Sequence, residues 1–145
     1  MRLSRYISEA GTSWVIATTD PASSHDILIS LHARAEVPAA IFKRRREGSI
    51  TAPNAVKAVA DFTKDFDDQY QPMEVTRQLV ERAAGLAEKH GLRAYDAVQL
   101  ATALEAQAVR DSLGLPQLIF VSADDQLNLA AQSKGLPVEN PNDHP

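Results

Sequence analysis

Apolar positions recur at three- and four-residue steps over several stretches of the chain, and short continuous apolar runs lie between them. The first spacing belongs to helices that bury one stripe, and the second to short buried strands. This pattern predicts a short helix within 8–19, then a turn at Asp20-Pro21-Ala22-Ser23-Ser24. A buried strand follows over Ile27-Leu28-Ile29-Ser30. A helix is predicted over 31–47, stopped by Gly48, with Lys43-Arg44-Arg45-Arg46 in its last turns, where the helix dipole favours cations. Pro38 inside it predicts a kink or a late start. The next helix runs over 52–69, with Pro53 in its first turn.

Met73-Glu74-Val75 reads as a strand, and Thr76 as the N-cap of a helix reaching about His90 and ended by Gly91. The longest helix is predicted over 93–112, closed by Gly114 and Pro116. Leu118-Ile119-Phe120-Val121 is the clearest strand, because an unbroken apolar run is what burial on both faces requires. A helix over 125–134 ends at Gly135, Leu136-Pro137-Val138 is a final strand, and the tail from Asn140 to Pro145 is expected to fray. Trp14, Tyr6, Tyr70, Tyr95 and the four Phe are scattered and are assigned to the core. Helices alternating with short apolar runs predict an α/β domain with a mainly parallel sheet.

Composition narrows the chemistry. At 145 residues, 44% of them hydrophobic and 23% charged, the chain is long enough for one domain with a real core and is not disordered as a whole. The net charge of −4 argues against a generally basic nucleic-acid binder and leaves room for a local basic patch. The absence of cysteine excludes disulfides, thiolate metal sites and a Cys nucleophile, and fits a reducing compartment. No apolar run approaches the roughly 18–20 residues of a membrane helix, and the first six residues lack the apolar stretch of a secretory signal. The expectation is a cytoplasmic protein without membrane association. No G-x-G-x-x-G, P-loop or G-x-S-x-G motif supports dinucleotide, nucleoside-triphosphate or serine-hydrolase chemistry.

Three acids stand out by position. Glu36 lies in the helix after the first strand, Asp96 in the first turn of the longest helix, and Asp124 just past the strand 118–121. In open parallel sheets, ligands bind outside the carboxyl ends of the strands. Carboxylates gathered there repel one another unless a cation joins them, and hard divalent cations such as Mg²⁺ or Mn²⁺ take oxygen ligands. Such an ion can activate a water and neutralise charge on a phosphate under attack. Each acid also has a plainer reading. Glu36 shares a helix side with His32, Lys43 and Glu47, as on a solvated face; Asp96 suits a helix's positive end; Asp124 suits an N-cap. The cations Lys43, Arg44 and Arg45 suit either a solvated helix end or a phosphate backbone. The four histidines show no metal-ligand spacing, although His32 and Glu36 stand four residues apart.

The segments Ala35-Glu36-Val37-Pro38-Ala39-Ala40, Arg93-Ala94-Tyr95-Asp96-Ala97 through Ala103, Phe120-Val121-Ser122-Ala123-Asp124 and Gly135-Leu136-Pro137-Val138-Glu139-Asn140-Pro141, in this order, resemble PIN-domain proteins of the VapC toxin type. The resemblance spans roughly 6–141. It implies an α/β PIN-like fold, a small parallel sheet flanked by helices, in a single domain that is commonly dimeric. It implies Mg²⁺- or Mn²⁺-dependent endoribonuclease action, leaving a 5′-phosphate and a 3′-hydroxyl and held off by a cognate antitoxin. It aligns Glu36, Asp96 and Asp124 with the family's catalytic, metal-binding acids, with Lys43, Arg44 and Arg45 available to the RNA backbone.

The family begins with an apolar strand ending in Asp, placed before the segment that resembles Leu3-Ser4-Arg5-Tyr6. The chain as given starts past that point, so the domain is expected to lack its first strand and one metal-binding Asp. Three alternatives follow: a start upstream, a fold that closes the gap by shifting strands or by dimerisation, or a degenerate relative. With fewer carboxylates, the expectation is a weakened or inactive ribonuclease. The competing expectation is a non-catalytic PIN-like scaffold that binds an antitoxin or another protein.

Overall fold

The computed structural model describes residues 5–144. Helix α1, Thr12–Thr18, leads through a 3-10 turn at Pro21–Ser23 to strand β1, Ile27–Ser30. Helix α2, Ala33–Arg46, and helix α3, Ala52–Asp68, follow, then strand β2, Tyr70–Met73. Helix α4, Arg77–His90, and helix α5, Ala94–Ser112, precede strand β3, Phe120–Val121. Helix α6, Asp125–Ser133, and strand β4, Val138–Glu139, complete the α/β arrangement before a second 3-10 turn at Pro141–Asp143.

The strands form two parallel pairs. β1 runs beside β2 with Ile27 opposite Tyr70 and Ser30 opposite Met73, and β3 runs beside β4 with Phe120 opposite Val138. Among the described residues, no strand joins the two pairs. The expectation of an absent first strand concerns chain before Arg5, which lies outside the described residues.

Each pair carries its own core. Around β1 and β2, Val37 and Ile41 of α2 meet Ala58, Phe62 and Phe66 of α3. Phe62 and Ile41 are fully buried, each contributing about 2–3 kcal/mol by removal from water. Tyr6 stands edge-on to Phe62, and its hydroxyl meets those of Tyr70 at 2.6 Å and the Asp65 carboxylate at 2.9 Å, which fastens the start of the chain to α3. Around β3 and β4, Leu79 and Leu86 of α4 pack on Leu100 and on the small Ala97 and Ala101 of α5. Helix α5 also touches β1, so it links the two halves.

Several expectations need correction. The strand placed at 73–75 lies at 70–73, because Tyr70 turns into the core as soon as α3 ends. Pro72, which has no N–H to donate, sits within that strand. The run 118–121 is strand only at Phe120 and Val121 and is not buried on both faces: Phe120 is buried, whereas Ile119 is 59% exposed. Only the Phe120 side packs against helices, so the run alternates. Helix α2 starts at Ala33 and carries Pro38 inside it, rather than starting late. Among the aromatics assigned to the core, Tyr6, Trp14, Phe42 and Tyr95 are only half-buried, of which Tyr6 and Phe42 still pack against the core around β1 and β2.

The tail does not fray over 140–144. Pro141 is fully buried, Trp14 stacks on His144 with ring centroids 4.4 Å apart, and His144 Nε2 lies 3.0 Å from Glu139 Oε2. Gly11, at φ +75, lets the backbone of α1's first turn press against Pro141. These are tertiary contacts, which a polar, proline-rich tail does not advertise.

Candidate active site

Helices α2, α5 and α6 each begin beside one cavity of about 270 Å³. Each brings an acid to it. Glu36 stands in the first turn of α2, Asp96 in the first turn of α5, and Asp124 is the N-cap of α6. All three therefore sit at positive helix ends, where a carboxylate is favoured.

Local structure fixes Asp124 most tightly. Its Oδ1 accepts from Leu127 N–H at 2.9 Å, and its own N–H donates to Ser122 Oγ at 3.1 Å. Asn128 Nδ2 donates to the Ser122 carbonyl at 2.9 Å and braces the turn. The cap read from the sequence and the place at the cavity wall thus belong to the same side chain. Asp125 is held from outside by Asn140 Nδ2 at 3.1 Å.

The acids feel one another. Burial, then the nearby Asp96 carboxylate, push Glu36 up to about 7. Burial, then Asp124, raise Asp96, with Arg93 opposing. Tyr95 also lines the cavity; burial and the Glu36 carboxylate hold its hydroxyl protonated well above the ordinary phenol range. Glu36 Oε2 is buried without a hydrogen-bond partner in the structure. A solvated face does not leave a carboxylate oxygen in that state, so that reading of Glu36 is set aside.

Oxygen-only donors suit a hard divalent cation, and the unpartnered Glu36 Oε2 is a ready ligand atom. Among the described residues, however, the acids do not close to a group of three that could hold one ion directly. Mg²⁺ commonly keeps several waters and takes only one or two carboxylates directly.

The predicted cations separate. Lys43 is mostly exposed and pairs with Glu47, and Arg45 lies over the Phe42 ring. Arg44 alone of the three lines the cavity, where its guanidinium forms an ion pair with Glu9. Glu9 is an acidic wall residue that the sequence reading did not single out. Its only local signal is a Thr three residues later: Glu9 N–H donates to Thr12 Oγ1 at 2.8 Å.

In metal-free buffer the buried carboxyl of Glu36 leaves a mark on stability. Its folded pKa lies above its ordinary 4.5, so the folded state holds the proton more tightly. Stability should then fall as pH rises from 4.5 to about 7. Half-exposed, the group should cost on the order of 1 kcal/mol after solvent screening. Denaturant melts on either side of that window should show the fall in the wild type and a flatter profile in Glu36→Gln. Equal profiles would mean the burial of Glu36 carries no charge penalty.

No family model matches the sequence. Two curated proteins do: Ribonuclease VapC45 of Mycobacterium tuberculosis (strain CDC 1551 / Oshkosh) and Ribonuclease VapC49 of Mycobacterium tuberculosis (strain ATCC 25618 / H37Rv). Each is 32% identical to this chain over 131 residues, covering 90% of the chain and 84% of the relative. The chain belongs to the VapC-type PIN-domain family. The helices and short parallel strands of this VapC-type chain are a PIN-like α/β arrangement. Among the described residues, no helix of the VapC-type chain is long and apolar enough to cross a membrane.

Proposed function

We propose that this chain is a Mg²⁺- or Mn²⁺-dependent endoribonuclease of the VapC toxin type. Its substrate is RNA, its restraint a cognate antitoxin, its compartment the cytoplasm and its assembly a homodimer of single PIN-like domains. One observation carries the reading: Glu36, Asp96 and Asp124, distant in sequence, line one cavity, where burial together with the Asp96 carboxylate raises Glu36, and burial together with Asp124 raises Asp96. The names of the related ribonucleases support it.

Glu36, Asp96 and Asp124 would hold the ion, partly through waters. A divalent ion so held supplies charge neutralisation at the phosphodiester and a more acidic water. The chain's own residues prepare the rest. Glu36 must give up its proton near pH 7 to act as a ligand. The Leu127 N–H keeps the Asp124 carboxylate oriented at the wall. Tyr95, whose hydroxyl stays protonated and which lines the same cavity, would border the bound phosphate. Arg44, the cation among the described residues lining the cavity, would meet the RNA backbone.

The test is cleavage of a structured RNA with Mn²⁺, against the same mixture with EDTA, with the product ends identified. Metal-dependent internal cuts bearing 5′-phosphates are expected. Thermal melting gives a second readout. An ion that binds only the folded chain at a hundred times its Kd should add about 2.7 kcal/mol, which is several degrees of melting temperature. Asp96→Asn should remove most of that shift. No cleavage and no shift would favour the non-catalytic scaffold.

A further inference from the structure

We propose that Glu9 keeps the cavity's phosphate-binding guanidinium, that of Arg44, occupied in the free protein, and that an RNA phosphate binds by taking Glu9's place. The inference rests on the ribonuclease reading above and adds a built-in competitor to it. Among the described residues lining the cavity, Arg44 is the sole cation, facing the acids Glu9, Glu36, Asp96 and Asp124. It stands two turns beyond Glu36 on the same side of α2, roughly 12 Å along the axis. A strand of RNA entering the cavity would meet this one positive group among the carboxylates.

That group is already engaged. Glu9 is the inner partner, with its side chain 15% exposed, while Arg44 is 38% exposed and open to an arriving ligand. The backbone of Glu9 is tied to Thr12: its N–H donates to Thr12 Oγ1, and the hydroxyl donates to the Glu9 carbonyl, both at 2.8 Å. The Glu9 backbone is therefore fixed, and its carboxylate reaches Arg44 from a held position on the chain. Carboxylate and phosphodiester oxygens offer a guanidinium the same charge-assisted, two-oxygen geometry. Exchange thus replaces one singly charged partner with another. It leaves the Glu9 carboxylate unpaired in a cavity lined by other acids, so RNA binds more weakly than Arg44 alone would allow.

The experiment measures binding of a fluorescein-labelled single-stranded RNA by anisotropy, in EDTA and at low salt. Wild type, Glu9→Gln, Arg44→Gln, the double variant and Glu88→Gln are compared, and each is melted to confirm folding. Glu9→Gln keeps the side-chain shape and the Thr12 bonds. It should lower Kd about three- to tenfold, because the same phosphate contact forms without first displacing a carboxylate. Arg44→Gln should weaken binding, and in that background Glu9→Gln should have no further effect. Glu88 is exposed on α4 and away from the cavity wall; its neutralisation makes the same charge change and should leave Kd unaltered. Binding that appears only in Glu9→Gln would also support the proposal. Unchanged Kd in Glu9→Gln, tightening that persists without Arg44, or equal tightening in Glu88→Gln would overturn it. Should RNA bind and be cleaved while Glu9→Gln stays at the wild-type Kd, the competitor fails and the ribonuclease reading stands. Should no variant bind RNA and none cleave it, both fail.

Discussion

Asp96→Asn should cut metal-dependent RNA cleavage by about a hundredfold or more, because divalent-ion stabilisation of charge in the transition state is worth several kcal/mol. The position of Asp96 is why the loss should be large. Its carboxylate couples to Glu36 on one side and to Asp124 on the other, so it is the link between the acids of α2 and α6. Asparagine keeps the shape and removes the charge. Burial and Asp124 already disfavour the ionised form of Asp96. Its removal therefore relieves repulsion in the metal-free protein, and the melting temperature should hold or rise. Single-turnover cleavage together with melting curves checks both halves. A variant as active as wild type would remove Asp96 from the reaction. A variant that simply unfolds would assign it to structure.

Gly11→Ala should destabilise the fold by about 2–4 kcal/mol, through overpacking and backbone strain together. Gly11 lies at φ +75, and a Cβ there would stand 2.0 Å from the Pro141 carbonyl oxygen. Two stretches of backbone would have to part. Separation would release the docked tail, and with it the Trp14–His144 stack and the Asn140 contact to Asp125 beside the cavity. Gly48→Ala is the matched control. Gly48 has φ +77 with nothing within 4 Å of its Cβ position, so it should cost only the left-handed backbone penalty, about 1–2 kcal/mol. Urea midpoints measure both, and limited proteolysis reports the tail. Equal losses at the two glycines would mean that the tail contact adds nothing.

What the sequence revealed followed the range of the forces involved. Helix α4 was legible because both ends are set locally: Thr76 Oγ1 accepts from Leu79 N–H at 3.1 Å, and Gly91 takes the left-handed turn at φ +64. β1 was legible as a short apolar run between polar residues. The place of β2 was not, because Tyr70-Gln71-Pro72 carries a proline and no apolar run, and only the core partners of Tyr70 make it a strand. Four apolar residues at 118–121 looked buried on both faces, since periodicity cannot tell which side of a strand finds a neighbour. The same division holds at the cavity. The acids could be named from their places after strands and at helix starts. The pairing of Glu9 with Arg44 joins residues 9 and 44 across the fold, and no local pattern announces it. Tyr95 went to the core for the same reason: an aromatic residue does not declare which wall it lines.

The central claim is that Glu36, Asp96 and Asp124 act as one cation-binding unit. Titration of Mn²⁺ into the protein, with the free ion counted by electron paramagnetic resonance, tests it without RNA or turnover. The account predicts saturable binding above pH 7 that weakens as Glu36 takes up its proton, and that is sharply reduced by Glu36→Gln, Asp96→Asn or Asp124→Asn taken singly. Mn²⁺ binding left unchanged by all three substitutions, or no binding at all, would contradict it.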